Sequence, residues 1–132
     1  MKYLLDTNIC IYIIQQKPEK VFRKFRKIAV GQIGMSSITH SELYYGVCKS
    51  RNVAQNEAAL RQFVVPLEIL PYPEEAAADY GEIRAGLERA GKSIGPLDTL
   101  IAAHARHLGL TLVTNNLREF SRVPNLKVEN WA

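Results

Sequence analysis

The stretch Tyr3-Leu4-Leu5-Asp6-Thr7-Asn8 joins a short apolar run to three residues that favour turns and helix caps over strand interiors. It predicts a buried strand over residues 3–5 and a short helix over Ile9 to Gln16, broken near Pro18. Asp6 then stands at the carboxyl end of a strand, where the chain turns into a helix. In open α/β sheets ligands bind at that edge. Asp6 is therefore expected to be solvated by what it binds and not to belong to the core. A helix cap also accounts for an acid at this point, and this stretch alone leaves both readings open.

Outward from this strand, apolar runs and helical patterns alternate. Residues 17–27 hold six basic residues, and Pro18 is placed to start a helix. Val21, Phe25 and Ile28 fall at helical spacing, which gives an amphipathic helix with a basic outer face. That face is either solvated surface or a contact for phosphates, with Lys20, Arg23, Lys24 and Lys27 as the candidate contact residues. A second strand is expected over Ile33 to Ser36, and a helix from there to about Lys49. Within it Thr39-x-x-Glu42 fits a capping box. Further helices are expected over Asn52 to Val64 and Glu74 to Ala90, with a strand over Leu67 to Leu70 between them. Pro96 opens a helix that Gly109 stops. A strand over Leu110 to Thr114, a helical turn over Leu117 to Phe120 and an edge strand within Val128 to Trp131 complete the chain. Alternation of this kind, without a tight hairpin signal, predicts an α/β fold: a mostly parallel sheet of four or five strands with helices on both faces.

The chain has 132 residues, enough for one domain over 1–132, and its 47% hydrophobic and 23% charged residues are ordinary for a globular protein. No apolar run approaches the roughly 18 residues of a membrane span. Asp6 interrupts any signal-peptide layout, so a cytoplasmic protein is expected. Cys10 and Cys48 make no CxxC pair and are expected to be buried, reduced thiols. The net charge of +4 favours an anionic partner weakly, and more strongly if some acids gather in one pocket.

Polar or acidic residues follow three strands, at Asp6, Ser36 to Glu42, and Thr114 to Glu119. A further acid, Asp98, lies in the first turn of a helix, where the dipole also favours it. Parallel strands end on one edge, so these groups could converge. Carboxylates sharing a pocket need a compensating cation, and hard oxygen donors suit Mg²⁺ or Mn²⁺. Two competing motifs carry less. Gly86-Leu-Glu-Arg-Ala-Gly91-Lys92-Ser93 matches the phosphate-loop pattern, but it falls in a helical stretch with no strand before it. His104 and His107 have no third ligand nearby to complete a zinc set.

Taken together, Leu4-Leu5-Asp6-Thr7-Asn8, Ser37 to Gly46, Gly95 to Ala105 and Val113 to Phe120 resemble, in order, the blocks of the PIN-domain ribonucleases, and more closely the VapC toxins of VapBC toxin–antitoxin pairs. The resemblance implies a PIN-like three-layer sandwich. It also implies Mg²⁺- or Mn²⁺-dependent endonucleolytic cleavage of RNA, often tRNA, a VapB-like antitoxin that holds the enzyme off, and a homodimer. Carried onto this chain, it makes Asp6 and Asp98 metal ligands, with Glu42 binding through water or a second ion. Asn116 stands where the family has a fourth acid; an amide ligates or orients water but is no base, and Glu119 is placed to supply the missing charge. That departure keeps a catalytically weak RNA-binding module as the alternative, with a nucleotide enzyme built on Gly86 to Ser93 behind it.

Overall fold

The computed structural model describes residues 1–132. Five parallel strands lie in the order β3-β2-β1-β4-β5: β1 Tyr3–Leu5, β2 Ile33–Ser36, β3 Glu68–Leu70, β4 Thr111–Val113 and β5 Val128–Glu129. The helices are α1 Thr7–Gln15, α2 Glu19–Lys27, α3 Ser37–Cys48, α4 Val53–Val64, α5 Ala76–Arg89, α6 Pro96–Leu108 and α7 Leu117–Phe120. The chain builds outward from β1 through β2 to β3, then returns to the other side of β1 for β4 and β5. The order therefore reverses between β1 and β4, and a crevice opens beyond the carboxyl ends of such a pair.

Strand periodicity sorts the core into two layers. Tyr3 and Leu5 of β1, Ile33 and Met35 of β2 and Val113 of β4 face α1 to α4, with Ile9, Ile13, Val21, Leu43 and Leu60. Leu4 and Leu112 point the other way, onto Ile83, Leu87, Ile101, Ala102, Ala105 and Phe120. A strand buried on both faces reads as a continuous apolar run, as Tyr3-Leu4-Leu5 does. Fully burying one such leucine stabilises the fold by about 1.5–3 kcal/mol. At Gly34 the strands approach closely, and a Cβ there would stand 2.8 Å from the Glu68 carbonyl oxygen.

The expected elements are all present, and most boundaries move by only a residue or two. Two expectations are corrected, at Cys48 and at the cap of α3, and two others hold, for the phosphate-loop match and the histidine pair. Cys10 is buried but Cys48 is exposed, although both are free thiols. The cap of α3 is Ser36, whose Oγ accepts from the Ile38 N–H at 3.1 Å, so Thr39 and Glu42 lie inside the helix and form no capping box. Residues 86–89 belong to α5, with no strand before them, so the phosphate-loop match is accidental. His104 and His107 separate: His104 Nδ1 meets Ser36 Oγ at 2.8 Å, and His107 Nδ1 meets Asp79 Oδ2 at 3.1 Å. No helix is long and apolar enough to cross a membrane.

Candidate functional site

β1 ends at Leu5, and Asp6 caps α1. Asp6 Oδ1 accepts the Ile9 N–H at 2.9 Å, a cap worth about 1 kcal/mol. Its Oδ2 accepts the Thr114 hydroxyl at 2.5 Å, from the residue that follows β4. The Thr114 oxygen in turn accepts the Asn116 N–H at 2.9 Å. The switch between β1 and β4 is thus tied at its outer end through one carboxylate. Asp6 is only 4% exposed, which corrects the expectation of a solvated acid. The carboxyl group that caps α1 also ties the ends of β1 and β4 together, one oxygen to each contact. Burial raises the Asp6 pKa, the Glu42 charge adds to the rise, and the bonds from Thr114 and Ile9 restrain it.

Glu42 projects from the middle of α3, and its Oε1 accepts the Thr7 hydroxyl at 2.6 Å. Asp98 lies in the first turn of α6 behind Pro96. Its pKa is pushed up to about 6, first by burial and then by the charges of Glu42, Asp6 and Glu119. Those causes place Glu42, Asp6 and Glu119 within electrostatic reach of Asp98. Asn116 caps α7: its Oδ1 accepts the Glu119 N–H at 3.4 Å, and its Nδ2 donates to Glu119 Oε2 at 3.0 Å. Asn116 is therefore spent on orienting Glu119, and Glu119 brings the fourth negative charge towards Asp98.

None of these four carboxylates takes part in a salt bridge; the ion pairs all lie elsewhere. An acidic pocket of oxygen donors with no Lys or Arg against it suits a hard divalent cation. No three of the side chains stand close enough to enclose an ion by themselves. A hydrated ion such as Mg²⁺ takes only one or two carboxylates and does not require three. The candidate RNA-binding residues do not join this cluster. Lys20, Arg23, Lys24 and Lys27 are exposed on α2, where Arg23 meets Glu19 at 3.7 Å and Lys24 meets Glu129 at 3.8 Å.

Two hydroxyls that shape the cluster, Thr7 and Thr114, are not marked as separate functional residues by the sequence pattern. A threonine within two residues of each of two adjacent strand ends is the signal that could have found them.

A model of the PIN domain matches residues 3–126. The chain is 50% identical to ribonuclease VapC2 of Haemophilus influenzae over 132 residues, spanning 100% of this chain and 99% of that protein. It is 46% identical to the tRNA(fMet)-specific endonuclease VapC of Shigella flexneri, again over 100% of this chain and 99% of that protein. Its fold superposes with a TM-score of 0.94, at 44% identity and over 100% of both chains, on the crystal structure of VapBC2 from Rickettsia felis bound to a DNA fragment from their promoter.

The raised pKa of Asp98 has a consequence for stability. Its folded value of about 6 lies above the ordinary 3.8. The group therefore contributes stability that is fully present below the ordinary value and is lost as the pH rises through the folded one. Asp98→Asn is expected to stabilise the metal-free protein by about 1 kcal/mol near pH 7.5 after allowance for solvent screening. That corresponds to a rise in Tm of roughly 3 °C. The gain should vanish near pH 3.5. Thermal unfolding in EDTA at the two pH values checks this, and a variant less stable than the parent at neutral pH would contradict the charge assignment.

Proposed function

Because this chain belongs to the PIN-domain family, among its VapC-type toxins, we propose that it is an Mg²⁺- or Mn²⁺-dependent endoribonuclease acting on RNA, with tRNA as the substrate class, in the cytoplasm. The observation that carries the reading is the uncompensated acidic cluster at the switch between β1 and β4. Asp6 and Asp98 would hold the ion, and Glu42 would reach it through water or a second ion. When bound, the ion would offset charge on the phosphoryl oxygens and make a water nucleophilic at neutral pH.

The chain's own residues prepare that reaction. Thr114 and the Ile9 N–H fix both oxygens of Asp6, so its carboxylate does not swing away. Asn116 holds Glu119 Oε2, which leaves Oε1 free to accept a hydrogen bond from the attacking water. The exposed cations of α2 would follow the RNA backbone. With the 3′ oxygen as leaving group, hydrolysis leaves a 3′-hydroxyl and a 5′-phosphate.

The purified protein is expected to cut RNA with Mg²⁺ and not with EDTA, and to give those ends. Asp6→Asn and Asp98→Asn should abolish cleavage while remaining folded, and Glu42→Gln should lower the rate by about 10²-fold or more. Cleavage in EDTA, a 2′,3′-cyclic phosphate product, or wild-type rates in either Asn variant would overturn the reading. RNA bound but left intact by the wild type would instead make the chain a binding module.

The same reading includes a VapB-like antitoxin. Ile11, Ile14, Leu43, Val47, Ala59 and Leu60 line an apolar groove between α1, α3 and α4, with Glu42 among its walls. An amphipathic antitoxin tail laid in this groove would bring an Arg or Lys to the acids. A guanidinium fork makes two charge-assisted bonds to paired carboxylates. A tail peptide with that cation changed to Ala is expected to inhibit at least tenfold less well, because hydrogen bonds to charged groups contribute about 1.5–3 kcal/mol. Inhibition equal to the parent peptide would leave groove occlusion as the mechanism.

A further inference from the structure

Resting on the reading of Glu42 as part of the cleavage site, we propose that Thr7 is the positioning residue that sets the Glu42 carboxylate. The two residues are 35 positions apart, and their side chains meet across α1 and α3 at 2.6 Å. A glutamate on a helix has three rotatable bonds and ordinarily swings towards water. Here Asp6 and Asp98 repel it, and no cation draws it in. The Thr7 hydroxyl is the one side-chain donor bonded to it.

Thr7 is well placed for this work. It is the first residue of α1, immediately after the capping Asp6, so the turn that fixes Asp6 also fixes the Thr7 backbone. Its β-branched side chain has few χ1 choices. The bond engages only Oε1 of Glu42, which leaves Oε2 without a protein partner. One dipeptide thereby sets two carboxylates: Asp6 directly, and Glu42 through the neighbouring hydroxyl. The hydroxyl is not needed to hold the helices together. Ile9, Cys10 and Ile13 of α1 share a buried apolar cluster with Leu43 and Val47 of α3.

The test uses the full chain with Thr7→Val, Thr7→Ser, Glu42→Gln and the Val–Gln double variant, each confirmed as folded by thermal unfolding. RNA cleavage gives kcat and KM, and calorimetric titration with Mn²⁺ alone gives ion affinity. Thr7→Val keeps the shape and removes the hydroxyl. It is expected to lower kcat about 10–100-fold with KM within about twofold, and to weaken Mn²⁺ binding several-fold, the usual cost of losing a group that orients a ligand. Thr7→Ser should restore most of both losses. In the Glu42→Gln background, Thr7→Val should change Mn²⁺ affinity less than about twofold. If the Val variant does not fold, Thr7→Ala serves in its place.

Wild-type kcat and Mn²⁺ affinity in the folded Val variant would overturn the role of Thr7 alone, with the site reading intact. An undiminished loss in the Glu42→Gln background would show that Thr7 acts other than through Glu42. Wild-type cleavage by Glu42→Gln would overturn both this inference and the place of Glu42 in the site.

Discussion

Carboxylates that share a pocket repel one another, and the protein has to gather four of them without a lysine or arginine to hold them. The fold meets that constraint with hydrogen-bond donors. Asp6 takes the Ile9 N–H and the Thr114 hydroxyl, Glu42 takes the Thr7 hydroxyl, and Glu119 takes the Asn116 amide. Asp98 has the least help, and its pKa is the one pushed up to about 6. Each donor is neutral, so the pocket keeps its negative field while its geometry is fixed. A cationic residue would neutralise the field and compete with any ion brought in from solution.

The sheet makes this arrangement possible. Because the strand order reverses at β1, the chain leaves β1 and β4 side by side and pointing the same way. Two capped turns then lie against each other, and the contact between Asp6 and Thr114 closes the gap between them. α3 and α6 enter from separate crossovers and deliver Glu42 and Asp98. The buried apolar runs of β1 and β4 hold this edge rigid, with Leu4, Leu5, Leu112 and Val113 fully buried. A site that stores electrostatic repulsion needs that support from the core.

The parts of this plan governed by local pattern were legible in the sequence. Continuous apolar runs flanked by helical periodicity predicted the parallel sheet, and turn-forming residues after each run marked the edge where the acids lie. The cap at Asp6 was legible for the same reason. What escaped was set by contacts between distant segments. The spacing of Thr39 and Glu42 satisfies a capping box, yet Ser36 begins the helix one turn earlier and releases Glu42 to meet Thr7. The burial of Asp6 depends on Thr114, 108 residues away, and no local window contains both. Glu119 was legible three residues after Asn116 as a source of the missing charge, but the bond from Asn116 Nδ2 that holds its carboxylate was not. Cys48 follows Val47, which is buried, but its own position on α3 turns to solvent.

Whether this uncompensated cluster holds a divalent cation is tested most directly by anomalous X-ray scattering from crystals equilibrated with Mn²⁺ at neutral pH. A manganese peak at Asp6 and Asp98 is the expected result. A saturating Mn²⁺ concentration that leaves this pocket without a peak, or that places manganese only on other residues, would contradict it.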